Sequence, residues 1–92
     1  MFEYVELEEA RRSGSAYLLM TGEPASDGTA RYYGRVALVN SAGVSVDVVR
    51  GKRRTFEELR SRAEGCARKR GIALIVMQLP ELRVASVSFK GS

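Results

Sequence analysis

Between Arg31 and Arg50 apolar and polar residues alternate on both sides of a turn sequence, which commits the middle of the chain to a β-hairpin. Its register follows from the turn. With Ser41, Ala42 and Gly43 as a three-residue loop and Gly43 in the left-handed conformation, Asn40 pairs with Val44, Leu38 with Val46 and Val36 with Val48. One more loop residue would set Val36 against Asp47 and break the apolar face, so the shorter loop is expected. The other face then carries Arg31, Tyr33, Arg35, Ala37 and Val39 on one strand and Ser45, Asp47 and Val49 on the next. Arg35 lies diagonal to Asp47, close enough for partial neutralisation. Tyr32 points to the opposite, core side.

A helix follows almost at once. Thr55 and Glu58 have the spacing of a capping box and predict a helix over about residues 55–70. Phe56, Leu59, Ala63, Cys66 and Ala67 recur at helical spacing and mark its buried face. Glu58 with Arg62 and Arg60 with Glu64 stand four residues apart, each such pair contributing about 0.2–0.5 kcal/mol. Gly65 costs roughly 1 kcal/mol relative to Ala inside a helix, which predicts a close contact there. Gly71 ends the helix after Arg68, Lys69 and Arg70.

The flanking segments extend the pattern. Acids at Glu6, Glu8 and Glu9, bases at Arg11 and Arg12, then Gly14 predict a short N-terminal helix, with Phe2–Val5 as a strand before it. Residues 15–21 read as a strand and Gly22–Ala30 as a loop. Ile72–Leu79 forms the most apolar strand; Pro80 and Glu81 turn the chain, and Leu82–Phe89 returns. The whole predicts one α+β domain over residues 1–92. Its largely antiparallel sheet has five or six strands, with the long helix packed on one face. The opposite face is then left to solvent, a partner subunit or a ligand.

Composition removes several functions. With no His, the commonest neutral-pH acid–base group and zinc ligand are missing. The single cysteine, Cys66, falls on the apolar helix stripe, where an inert core role is expected. Gly22, Gly28 and Gly34 follow no nucleotide-binding fingerprint. A metal-dependent nuclease would need Asp47 to converge with Glu57 or Glu58, acids that capping and pairing already explain. A non-enzymatic protein without cofactor or metal is therefore expected. No apolar run approaches the roughly 20 residues that span a bilayer. A lone cysteine and the absence of a basic-then-apolar leader predict a cytoplasmic location. Twelve Arg against three Lys, with one Asn and one Gln, suggest a thermophilic source.

Charge carries the functional signal. Residues 50–70 hold nine of fifteen Lys and Arg residues against three acids, a local +6, so the remaining residues sum to −2 in a chain of net +4. Arg50, Lys52, Arg53 and Arg54 fall between a strand end and a helix start, where the helix dipole disfavours cations. Phosphates of a nucleic acid would supply the missing anions. Arg31, Tyr33 and Arg35, alternating on one sheet face, offer a charged stacking platform of the kind that holds single strands. The expectation is sequence-nonspecific nucleic-acid binding, with single-stranded DNA or RNA favoured over duplex. The alternative is a protein-interaction module, an assembly subunit or viral inhibitor. Residues 1–30 carry a net −4 against the +6 of 50–70, and this polarity predicts a homodimer or higher homo-oligomer.

Overall fold

The computed structural model describes residues 2–25 and 31–79. In chain order its elements are β1 (Glu3–Val5), α1 (Leu7–Ser13), β2 (Tyr17–Pro24), β3 (Arg31–Val39), β4 (Ser45–Thr55), α2 (Phe56–Arg70) and β5 (Leu74–Gln78). The five strands form one sheet in the order β1-β5-β2-β3-β4. The α+β class holds, but the sheet is mixed rather than largely antiparallel. β5 runs parallel to both neighbours, β1 and β2, while β2–β3 and β3–β4 are antiparallel. Periodicity cannot reveal this, because strand direction depends on where each crossover lands. The return strand expected over Leu82–Phe89 lies outside the described residues.

The two helices lie on opposite faces. α2 leaves β4 at one edge and delivers the chain to β5, whereas α1 carries it from β1 past β5 to β2. The crossovers thus travel in opposite directions across the sheet, and the preference for right-handed connections sends their helices to opposite sides. Under α2, Leu18, Met20, Val36, Leu59, Ala63 and Ile75 form the larger core. Under α1, Ala10, Tyr17, Val39 and Val76 form a smaller one. Among the described residues, the face opposite the long helix is therefore open at the end that α1 does not reach.

Local signals set the element ends. Thr55 accepts from the Glu58 amide at 3.1 Å and Glu58 from the Thr55 amide at 2.8 Å, completing the capping box. Gly14 and Gly71 close the helices at φ of 73° and 68°, values that favour glycine. Leu59, Ala63 and Ala67 are buried as the helical spacing requires, with Cys66 packed beside them. Gly65 makes no close approach, since a Cβ there would meet nothing within 4 Å. The tight approach is at Gly34, where a Cβ would stand 2.5 Å from Leu59 Cδ2. Gly22 is its partner across β2, inside a strand rather than the expected loop.

The hairpin register begins as predicted and then slips. Gly43 has φ +85°, the Asn40 amide donates to the Val44 carbonyl, and Leu38 sits opposite Val46. Val36, however, pairs with Val49, not Val48, and Gly34 pairs with Lys52. Two irregularities insert one extra β4 residue each, between the partners of Ala37 and Val36 and between those of Val36 and Gly34. Val49 consequently turns into the α2 core instead of the open face. Among the described strands β4 is an edge, where bulges are common because only one neighbour constrains the ladder. No helix of the described residues is long and apolar enough to cross a membrane.

Candidate nucleic-acid interface

The basic segment is not a turn. β4 runs through Arg50, Lys52, Arg53 and Arg54 to Thr55, so these side chains alternate across an edge strand. Lys52 lies opposite Gly34 and Arg54 opposite Tyr32, on the α2 side. Arg53 lies opposite Tyr33 on the other side. The cations therefore straddle the sheet edge, with Arg50 beside the second bulge.

Arg54 departs most from expectation. It is only 8% exposed, and its Nη1 donates to the Arg50 carbonyl at 2.7 Å and the Gly34 carbonyl at 3.2 Å. A buried guanidinium must have its N–H groups occupied, and here backbone oxygens serve. Arg54 braces the irregular stretch of β4 against β3 and is not presented to solvent. Arg31 is likewise engaged, its Nη1 3.5 Å from Glu58 Oε1. Glu58 is thus drawn to Thr55 and Arg31, and the Glu58–Arg62 pair expected along the helix does not form; Arg60 and Glu64 do pair, at 3.9 Å. The Glu58 carboxyl is held below its ordinary value, chiefly by the Thr55 backbone hydrogen bond, with the Thr55 hydroxyl, Arg31 and Arg54 assisting.

The exposed part of the site has two flanks. Between β4 and the first turns of α2 runs a groove of about 580 Å³, lined by Lys52, Arg53, Arg54 and Arg62 together with Ser61, Glu57 and Glu58. On the opposite side, beyond the reach of α1, a hollow of about 440 Å³ is lined by Thr21, Gly22, Glu23, Tyr33, Arg35 and Gly51. Tyr33 is 53% exposed there, while Tyr32 is buried in the core as its parity predicts. Arg35 does not turn to Asp47; its Nε reaches Thr21 Oγ1 at 3.5 Å, the long end of hydrogen-bond range. Asp47, opposite Ala37, lies ten residues before Glu57 along β4 and α2. Among the described residues no three His, Cys, Asp or Glu side chains gather as a metal site would require.

Of the residues selected from sequence, the structure thus brings Tyr33 and Arg35 together on the open face, beside Arg53. It places Arg50 and Lys52 on the adjoining edge, buries Arg54, and engages the still solvent-accessible Arg31 with Glu58. Thr21, Glu23 and Gly51 were not anticipated. Thr21 and Glu23 continue the alternation that buries Leu18 and Met20 on the other face, a signal obscured by Gly22 and Pro24, which read as a loop.

Compared with known proteins, the chain matches no family model, no curated protein and no solved structure. The chemistry of the interface is accordingly that of its own side chains.

Proposed function

We propose that the protein is a small, non-enzymatic nucleic-acid-binding protein that holds single strands by phosphate contacts and base stacking. The observation that carries this reading is the position of Tyr33. It lies half-exposed on a sheet face that no other described element covers, flanked by Arg35 and Arg53, directly inside a strand that is an edge among the described residues and bears Arg50 and Lys52. A flat aromatic beside a cationic edge supplies the two contacts that sequence-independent binding needs, a surface for a base and charge for its backbone. An extended strand can lie over Tyr33 and place its phosphates along β4. A rigid duplex keeps its bases inside and gains only the charge, so single strands are favoured.

The test is fluorescence anisotropy with 20-mers of single- and double-stranded DNA and RNA across a salt series. Single-strand binding through phosphates requires affinity to fall with salt at a log–log slope near −0.7 per contact. Absence of binding to every 20-mer at low salt would refute the reading.

One observation favours a second reading, a protein-interaction module. Val44, just before β4, and Val46, near its start, are 57% and 59% exposed at the hairpin end, away from the cations. An edge that no described strand pairs, with exposed valines beside it, can accept another strand, including one from a second copy of this chain. Failure of all nucleic acids together with a concentration-dependent mass in sedimentation would favour that reading.

A further inference from the structure

We propose that the hollow on the open sheet face is a guanine subsite, with Tyr33 stacking the base and the Glu23 carboxylate accepting hydrogen bonds from its Watson–Crick edge. The inference rests on the single-strand reading and adds a base preference to otherwise sequence-independent binding.

It starts from an acid where a phosphate binder has no use for one. Glu23, Tyr33 and Arg53 are direct partners across β2, β3 and β4, forming one row on the same face. Adjacent strands lie about 4.8 Å apart, so the carboxylate stands at the rim of anything resting on the Tyr33 ring. Among the described residues the Glu23 carboxylate has no ion-pair or hydrogen-bond partner, and the residue is exposed. An exposed carboxylate beside a polyanion site weakly repels the backbone, a cost that a specific donor on the base would offset.

The space around it fits a base. Gly51 leaves the β4 side of the hollow open, since a Cβ there would meet nothing within 4 Å. The volume of about 440 Å³ suits a planar heterocycle resting on the sheet.

Hydrogen-bond chemistry then selects the base. An ionised carboxylate accepts only, through two oxygens side by side. Guanine is the one common base with two adjacent donors, N1–H and the N2 amino group, on its Watson–Crick edge. Adenine and cytosine offer one amino group next to a ring-nitrogen acceptor that faces the second oxygen. Uracil and thymine offer one N–H between two carbonyls, and both carbonyls are repelled. Reading an unstacked base by this edge is the usual route to specificity in single strands.

The experiment uses fluorescein-labelled dT 11-mers whose central position is T, G, inosine, A or C, measured by anisotropy at constant low salt. The expected order is G first and T last, separated by roughly 5- to 150-fold, the range for a good bidentate pair. Inosine lacks the N2 amine and should lose most of the advantage of G. Glu23→Gln should bind the all-T oligomer at least as well as the parent while compressing the G preference below about 2-fold. Equal affinity for all five oligomers, or a G preference that survives Glu23→Gln, would overturn the assignment. If those equal affinities still fall steeply with salt and need Tyr33, the single-strand reading stands and only the guanine subsite is lost. Free GMP is the control for the other source of guanine. It should compete only at concentrations far above the oligomer, and competition at equal concentration would mean a nucleotide site instead.

Discussion

Replacing Arg50 and Lys52 with Ala separates the exposed cations of β4 from the buried one. Both side chains are exposed, and neither has a hydrogen-bond or ion-pair partner among the described residues. Removing them should change the fold by no more than about 0.5 kcal/mol. If each contacts one phosphate, the log–log salt slope for a single-stranded 20-mer should become less steep by about 1.4, twice the 0.7 expected per contact. Extrapolated from 1 M, that is a loss of about 25-fold at 0.1 M salt, converging towards the parent affinity as salt rises. Arg54→Met is the opposite case. It removes hydrogen bonds from a charged donor to the Arg50 and Gly34 carbonyls and leaves those oxygens without it. The structure should lose roughly 1.5–3 kcal/mol, while the salt slope stays as it was. For a chain of this length the melting temperature would fall by about 4–8 °C per kcal/mol. Anisotropy titrations at four salt concentrations and a calorimetric melt of each variant measure both quantities. An unaltered slope in the double Ala variant, or a flattened slope in a well-folded Arg54→Met, would refute this division of labour.

Three further outcomes follow from the packing and titration of the fold. Gly34→Ala should destabilise by about 1–3 kcal/mol, because its Cβ would fall 2.5 Å from a fully buried Leu59. Combining it with Leu59→Ala should cost less than the sum of the two single variants in denaturant melts, and strict additivity would exclude the clash. Glu58 has a lowered folded pKa, so its contribution is present above the unfolded value of about 4.3 and lost as pH falls through the folded one. Urea midpoints measured through that acid range should fall more steeply for the parent than for Glu58→Gln, and parallel curves would count against the capping-box role. Tyr4 donates to Glu64, and partial burial, then that hydrogen bond and the Glu64 charge, push its pKa up to about 12 against a smaller opposing effect of Arg60. Its contribution is complete below the ordinary value of 10.0 and is lost as pH rises through 12. Alkaline melts should show a stability loss in that window which Tyr4→Phe removes; an identical loss in the variant would exclude Tyr4 as its source.

What the linear chain determined was everything governed by neighbours a few residues apart. Helix α2 was legible from Thr55, Glu58, its apolar spacing and Gly71. The hairpin loop was legible from Asn40 and Gly43, and the opposed directions of Tyr32 and Tyr33 followed from strand parity. Each of these rests on a local hydrogen bond, a backbone preference or a fixed period. Three things only tertiary structure decided. The parallel seating of β5 between β1 and β2 came from the opposite travel of two crossovers. The bulges in β4, tolerated on a strand with one described neighbour, shifted the register and carried Val49 into the core, and the strand ran on through the expected basic turn. Arg54 was folded inward because carbonyls of Gly34 and Arg50 converge on it, which no spacing along the chain announces. Charge can be counted residue by residue, but whether a cation meets solvent depends on partners brought together from distant parts of the sequence.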